Sequence, residues 1–273
     1  MKESKNKVID EKFASIVDSL CFWLGYQFKI GRERLIHEAS LRYPIADTIT
    51  SKGINIEKIV LEKSHPIFKR KKVDLVILDG LQNEEYIFEE SENSEILELY
   101  EFKLAKVETN KEGSDEHQRV FNDVLRLAYS HLIMGTDCYF LMCGKFSDFK
   151  AYFIGQNNKN TRNENGKNTV TPKKAKEIQS NLKMYQAEEW QSNGLYKDWF
   201  QFEVGKEKIM TFTITENKWG LYSFQQSYQF KEDEKYKFNE KITIKTTCKA
   251  ITPNDTVTGR THAAGIWKIE AVS

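Results

Sequence analysis

The chain has 273 residues, 40% of them hydrophobic and 30% charged, with only 14 Gly and 4 Pro. That composition excludes collagen-like, low-complexity and broadly disordered chains. The net charge is +1, from 41 basic and 40 acidic side chains, a total that neither indicates nor excludes a nucleic-acid partner.

In chain order, Ile9, Phe13, Ile16, Val17, Leu20 and Leu24 recur at spacings of three and four. They predict a helix over Val8–Phe28 with one apolar face. Gly31 interrupts it. A second helix is predicted over Glu33–Arg42, stopped by Pro44, which disfavours helix at Tyr43. Ile54–Glu62 reads as a strand ending near Pro66. A second strand, Lys72–Leu78, is closed by the turn dipeptide Asp79-Gly80. Between Glu84 and Glu98 the chain holds seven Glu and no basic residue. A third strand is predicted over Ile96–Leu104.

Ser114–Met134 reads as a helix, with Ser114 as N-cap and Asp115 and Glu116 in its first turn. Val120, Val124, Leu127 and Ala128 line its apolar stripe. Cys138–Cys143 is uniformly apolar, as a strand covered on both faces is, and Gly144 is expected to end it. Phe149–Ile154 reads as one more strand. Three strands in succession followed by helix and strand argue for a mixed sheet.

Residues 156–172 carry six Asn and almost no apolar side chains, marking a linker. A short helix is predicted from Pro172 to about Ala187. Beyond it, aromatic residues from Trp190 to Phe238 alternate with polar ones, and Ile242–Thr247 and Gly265–Val272 read as strands. The expected organisation is a core over 1–155, a linker over 156–172 and a mainly-β, aromatic-rich domain over 173–273. The charge divides along the same line. Residues 156–273 hold 19 basic and 14 acidic side chains, leaving 22 and 26 for residues 1–155.

No apolar run approaches the roughly 20 residues that span a bilayer. The opening Met-Lys-Glu-Ser-Lys-Asn-Lys lacks a signal peptide's apolar core. A cytoplasmic protein with no membrane partner is expected. Cys21, Cys138, Cys143 and Cys248 form no C-x-x-C pair and no metal-type spacing with the five His, so Cys138 and Cys143 are expected as small core residues. His37, His65, His117 and His131 carry no motif.

The informative feature is charge where strands should be apolar. Residues two apart on a strand share a face, so Glu101 and Lys103 stand together at the end of the third strand, while Asp74 opens the second. If the two strands are neighbours, Asp74 and Glu101 bring two carboxylates within one cation's reach. Mg²⁺ takes oxygen ligands at about 2.0–2.1 Å, commonly one or two carboxylates plus waters and phosphate. A lysine beside such a site can orient a water or neutralise charge developing on a phosphate. An exposed ion pair at a strand end would place the same residue types there at little energetic gain.

Asp74, then Glu101-Phe102-Lys103 on the following strand, after a helix, resembles the PD-(D/E)XK nuclease superfamily. The helix–three strands–helix–strand order of that group matches the elements from about Glu33 to Gly144. The resemblance implies an α/β (α+β) fold: a restriction-endonuclease-like mixed sheet flanked by helices, here with a C-terminal mainly-β extension. It implies a Mg²⁺-dependent phosphodiesterase, for which Mn²⁺ can substitute, an endonuclease rather than an exonuclease, acting on DNA rather than RNA. Asp74 and Glu101 are the implied metal ligands, joined by the backbone carbonyl of Phe102. Lys103 is the water- or phosphate-directed cation. Glu38 sits where members carry an additional helix carboxylate, as a second metal or water ligand; an exposed Glu38 paired with Arg34 or Arg42 is the other reading. Val73 stands where the motif has Pro. The Gln-x-x-x-Tyr signature of the RecB-like branch is not met, since Asn122 follows Gln118.

Lys69, Arg70, Lys71 and Lys72 form a basic run before Asp74, either a solvated turn or a set of phosphate contacts. Gln118 is a further candidate contact from the start of its helix, and Lys173, Lys174 and Lys176 form a second basic cluster. The C-terminal aromatics serve either as core or as a base-stacking surface. The alternative function is a catalytically silent nuclease-like fold that binds nucleic acid or assembles proteins. A homodimer or a protein partner would engage the C-terminal region.

Overall fold

Nearly continuous apolar runs alternate with two long amphipathic helices, and such a chain buries its runs by sandwiching one sheet between helical layers. The computed structural model describes residues 2–80, 95–105, 113–146, 148–149, 199–213, 220–232, 234–252 and 261–272. Helix α1 spans Lys2–Lys29 and α2 spans Arg42–Ser51. Strands β1 (Ile59–Ser64), β2 (Lys72–Leu78) and β3 (Ile96–Ala105) follow. Then come α3 (Gly113–Met134), β4 (Asp137–Lys145), β5 (Glu207–Thr213), α4 (Gly220–Ser227), β6 (Lys241–Ile251) and β7 (His262–Val272).

The seven strands form one mixed sheet in the order β1-β2-β3-β4-β7-β6-β5. Only the β3–β4 pair, joined through α3, is parallel; the other neighbours are antiparallel. The strands' alternation separates two cores. Phe13, Leu20, Leu24 and Ile45 from α1 and α2 pack on one face with Tyr100, Leu141 and Ile266. Val120, Leu127 and Phe224 from α3 and α4 pack on the other with Leu99, Phe140 and Trp267.

The boundary expected between residues 155 and 173 does not divide this sheet. β7 pairs with β4 over eight residues, Cys138↔Ile269 through Lys145↔His262, and both cores draw on the two halves of the chain. The reason is that β4, apolar on both sides, needs a neighbour at each edge, and β7 supplies the second. The Asn-rich residues 156–172, the helix expected from Pro172, the acidic residues 81–94 and Lys173, Lys174 and Lys176 lie outside the described residues. So do 150–154 of the expected extra strand, whose first residue, Phe149, is in a helical turn and buried.

Four local corrections have physical causes. Pro44 does not end a helix; it is the third residue of α2, where its missing N–H is one of the four that lack an intrahelical acceptor in any case. The expected helix over 33–42 is instead two 3₁₀ turns, Glu33–Leu35 and Glu38–Leu41. The first strand begins at Ile59, because Asn55 caps a short turn over Ile56–Lys58 by accepting from the Glu57 amide. Leu221 and Phe224 bury at a spacing of three from a helix, not a strand, and Tyr228 buries one residue past its end.

Gly144 does not end β4 either. It pairs with Ala105, whose carbonyl oxygen would lie 2.6 Å from an added Cβ. Glycine is therefore what lets β3 and β4 stay paired to their ends. The four cysteines are free and buried, as core residues. Trp199, Phe200, Phe212, Phe224, Phe230 and Trp267 are buried as well, so these C-terminal aromatics are core rather than an exposed stacking surface. No helix among the described residues is long and apolar enough to cross a membrane.

Candidate active site

The site forms where β2 and β3 part company. Their antiparallel pairing begins at Leu75↔Tyr100, and one residue further along sets Asp74 opposite Glu101. The β1–β2 ladder also skips a pair there, Glu62 with Asp74. Glu62 takes a left-handed backbone, φ 52°, a conformation that costs a non-glycine residue and that persists where surroundings enforce it.

Each oxygen of Asp74 is engaged. Oδ1 accepts from Arg42 Nη2 at 2.7 Å and Nε at 3.1 Å, and Oδ2 accepts from the Phe102 amide at 2.8 Å. Phe102 thus enters the site through its N–H, anchoring Asp74 to β3. Arg42, near the start of α2, also donates from Nη1 to Glu62 at 2.6 Å, tying β1 and β2 to the helix.

Glu101 is 3% exposed. Its Oε2 lies 3.0 Å from Arg126 Nη2, whereas Oε1 is buried without a hydrogen-bond partner. Burial drives its pKa well above the ordinary carboxyl value. Arg126 opposes that rise, while the charges of Asp74 and Asp123 and a hydrogen-bonding approach to Asp74 reinforce it. The two carboxylates are thus side by side, as the sequence requires of neighbouring strands.

Lys103, two residues on, is 5% exposed. Its Nζ is 3.1 Å from Glu38 Oε1 and 3.8 Å from Asp123 Oδ2. Glu38 therefore reaches the site from a 3₁₀ turn, and it does so as the partner of Lys103. On α3, Arg126 Nη2 also meets Asp123 at 2.5 Å, and its Nη1 donates to the Lys72 carbonyl at 3.0 Å. Burial alone would lower the Arg126 pKa, but the carboxylates of Glu101 and Asp123 raise it.

The C-terminal half contributes one wall. The β1–β2 loop is stitched to the segment after α4 by Lys69 N–H to the Gln229 carbonyl and Lys231 N–H to the Ile67 carbonyl, both 2.8 Å. A Phe68–Phe230 bridge lies between them. Tyr228, at that segment, has its hydroxyl pushed up to about 12, by burial first, with Arg126 opposing and Asp123 and Glu101 adding to the rise. Lys71 lies with its ammonium 4.4 Å from the Tyr228 ring centre. Its pKa is lowered by burial and by Arg126.

The basic run therefore splits. Lys71 turns toward the site, Lys72 faces Glu62 at 3.8 Å, Arg70 is exposed with φ 55°, and Lys69 is half-buried. Gln118 lies on α3, with its side chain outside those described.

Sequence reasoning brought Asp74, Glu101, Phe102, Lys103 and Glu38 into one place. It missed Arg42, Asp123, Arg126 and Tyr228. A signal for two of these was present: Asp123, Arg126 and Ser130 run as a polar stripe through the buried face of α3, at spacings of three and four. Nothing local marks Arg42 or Tyr228.

The donor set fits a hard divalent cation in one respect: two adjacent carboxylates from facing strands, one with a buried oxygen that no hydrogen bond satisfies. Among the described residues no three His, Cys, Asp or Glu side chains are arranged as a metal cage. Mg²⁺, which keeps several waters and commonly takes one or two carboxylates, does not require one. Comparison with protein-family models, with curated proteins and with solved structures finds no match to the chain.

Proposed function

We propose that the protein is a divalent-metal-dependent nuclease that hydrolyses phosphodiester bonds in DNA, on a restriction-endonuclease-like core. The observation that carries this reading is the adjacency of Asp74 and Glu101 where β2 and β3 separate, with Lys103 on the same strand end. The helix–three strands–helix–strand order through β4 supports it. The buried free cysteines suit a reducing, cytoplasmic setting.

Asp74 and Glu101 would hold the Mg²⁺, joined by the Phe102 carbonyl. When bound, that ion supplies polarisation of the phosphate and a more acidic water. The protein's own residues do the rest. The Phe102 amide and Arg42 fix Asp74 so that it needs little reorganisation. Glu38 and Asp123 hold the Lys103 ammonium inside the site, where it can orient the attacking water and neutralise charge on the phosphate. Glu38 thereby acts on the reaction through Lys103. Lys71, and Arg70 and Lys72 at the exposed rim, would meet phosphates flanking the scissile bond, an interaction that weakens steeply with salt.

The test is cleavage of supercoiled plasmid, linear DNA and RNA in Mg²⁺ or Mn²⁺. The wild type should nick closed circular DNA, the mark of an endonuclease. Asp74→Asn and Lys103→Met should each lose activity about 10²–10³-fold with an unchanged circular-dichroism spectrum. Undiminished cutting by the doubly substituted protein, or no metal-dependent cutting of any substrate by the wild type, would overturn the reading. In the second case, the guanidinium contacts of Asp74 and Glu101 would favour a silent binding module.

A further inference from the structure

We propose that Arg126 is an internal counter-cation that competes with the divalent metal for Glu101 and so sets how tightly the site takes up its ion. This rests on reading Asp74 and Glu101 as a cation-binding pair, but not on DNA hydrolysis.

Arg126 holds Asp123 and Glu101 through the same nitrogen, Nη2, and keeps a separate anchor through Nη1. Nη2 meets Asp123 at 2.5 Å and Nη1 donates to the Lys72 carbonyl at 3.0 Å. Both bonds survive if Glu101 moves. The third contact, 3.0 Å to Glu101 Oε2, is the one a cation would contest. Arg126 also leaves its buried Nε without a hydrogen bond, so at least one of the guanidinium's five donors goes unused.

Glu101 shows the complementary shortage, an Oε1 buried without a partner. A +1 charge held this close repels an incoming ion in a site with little water to screen it. It also replaces that ion when none is bound, keeping Glu101 and Asp123 from facing each other uncompensated. Arg42 does not play the same part, because Asp74 is its principal partner and the Phe102 amide already holds that carboxylate's other oxygen.

The experiment compares wild type, Arg126→Gln and Arg126→Lys by calorimetric Mn²⁺ titration and by thermal unfolding in chelator and in Mn²⁺, without DNA. Arg126→Gln should bind Mn²⁺ about tenfold tighter or more, unfold at a lower temperature in chelator, and gain more from Mn²⁺ than the wild type gains. Arg126→Lys, which keeps the charge, should stay near wild-type affinity. Adding Glu101→Gln to Arg126→Gln should remove the gain. If Arg126→Gln does not fold in chelator, recovery of its fold on adding Mn²⁺ supports the proposal and failure to recover overturns it.

Mn²⁺ affinity no tighter in Arg126→Gln than in wild type, whether both bind or neither does, overturns it. Tighter Mn²⁺ binding without cleavage of any nucleic acid leaves the proposal standing and removes the nuclease reading.

Discussion

Glu98 and Glu101 stand three residues apart on β3 and place the same side chain in opposite surroundings. On the α1 face, Glu98 receives the Lys12 ammonium at 2.6 Å on both oxygens and the Tyr100 hydroxyl on one of them. Lys12 also lies against the Phe13 ring, 4.8 Å from its centre, and Tyr100 stacks on Tyr139 at 5.0 Å. Both Glu98 oxygens, the Lys12 ammonium and the Tyr100 hydroxyl have partners, as buried polar groups in a structural role generally do. Glu101, on the α3 face, faces more carboxylates than its arginine can satisfy and keeps an oxygen without a hydrogen bond. A fully partnered ion pair serves the fold. An under-satisfied one, held beside like charges, is the surrounding on which the proposed cation site rests.

Substitutions should break this contrast in a graded way. The largest effect is expected from Glu101→Gln, which should reduce metal-dependent cleavage by about 10³-fold, measured on plasmid DNA, while leaving the fold in place. Its effect on stability depends on pH. Because the folded pKa of Glu101 lies above the unfolded value of 4.5, its contribution to stability is full below that value and is lost as pH rises through the folded pKa. Removing the carboxyl should remove that loss, so Glu101→Gln should hold its unfolding midpoint better than wild type as pH rises.

Lys12→Met should do the reverse. It strands a half-buried Glu98 and should cost about 2–3 kcal/mol in urea unfolding, with cleavage per folded molecule unchanged. Lost cleavage without lost stability would contradict the structural role assigned to this pair.

His65 should give a smaller and pH-dependent effect. It is fully buried, and its Nδ1 accepts from the Ile67 and Phe68 amides, so the neutral ring is the form the fold binds. Burial, then the charges of Arg126 and Lys231, hold its pKa well below 6.5. Its contribution is therefore present above 6.5 and is lost as pH falls below it, by about 1.4 kcal/mol per pH unit until the folded ring titrates. In His65→Asn, which retains a side-chain acceptor, the acid-side slope should flatten. The smallest effect is expected in the surface ladder that runs Asp137–Lys268–Glu270–Lys245–Glu207. There Lys245→Ala should cost about 1 kcal/mol or less, and less still in high salt.

How much was legible in the sequence follows the range of the forces involved. β2 and β3 declare themselves by local alternation, and the Glu101–Lys103 pair is set by the two-residue period of a strand. Its adjacency to Asp74 follows from two short strands with a reversal between them. Pro44 reads as a stop from sequence alone because proline's cost depends on its position in a helix, and the start of α2 at Arg42 carries no local capping signal. The C-terminal strands read as a separate unit because pairing between residues 138–145 and 262–269 leaves no local trace.

The sequence by itself therefore determined which charged residues meet at the candidate site: a carboxylate opening one strand, and a carboxylate and a lysine closing the next. Composition and total charge were silent on this, since opposite patches cancel to +1. Only the tertiary structure decided what surrounds those residues. It set Arg126 and Asp123 from α3 against Glu101 and Lys103, put Arg42 on Asp74, and brought Tyr228 in from a segment more than a hundred residues away. Periodicity is a property of neighbours along the chain, whereas burial and charge balance depend on every element packed against a group. The raised pKa of Glu101 and the balance of charge around it could therefore be fixed only when the sheet closed around it.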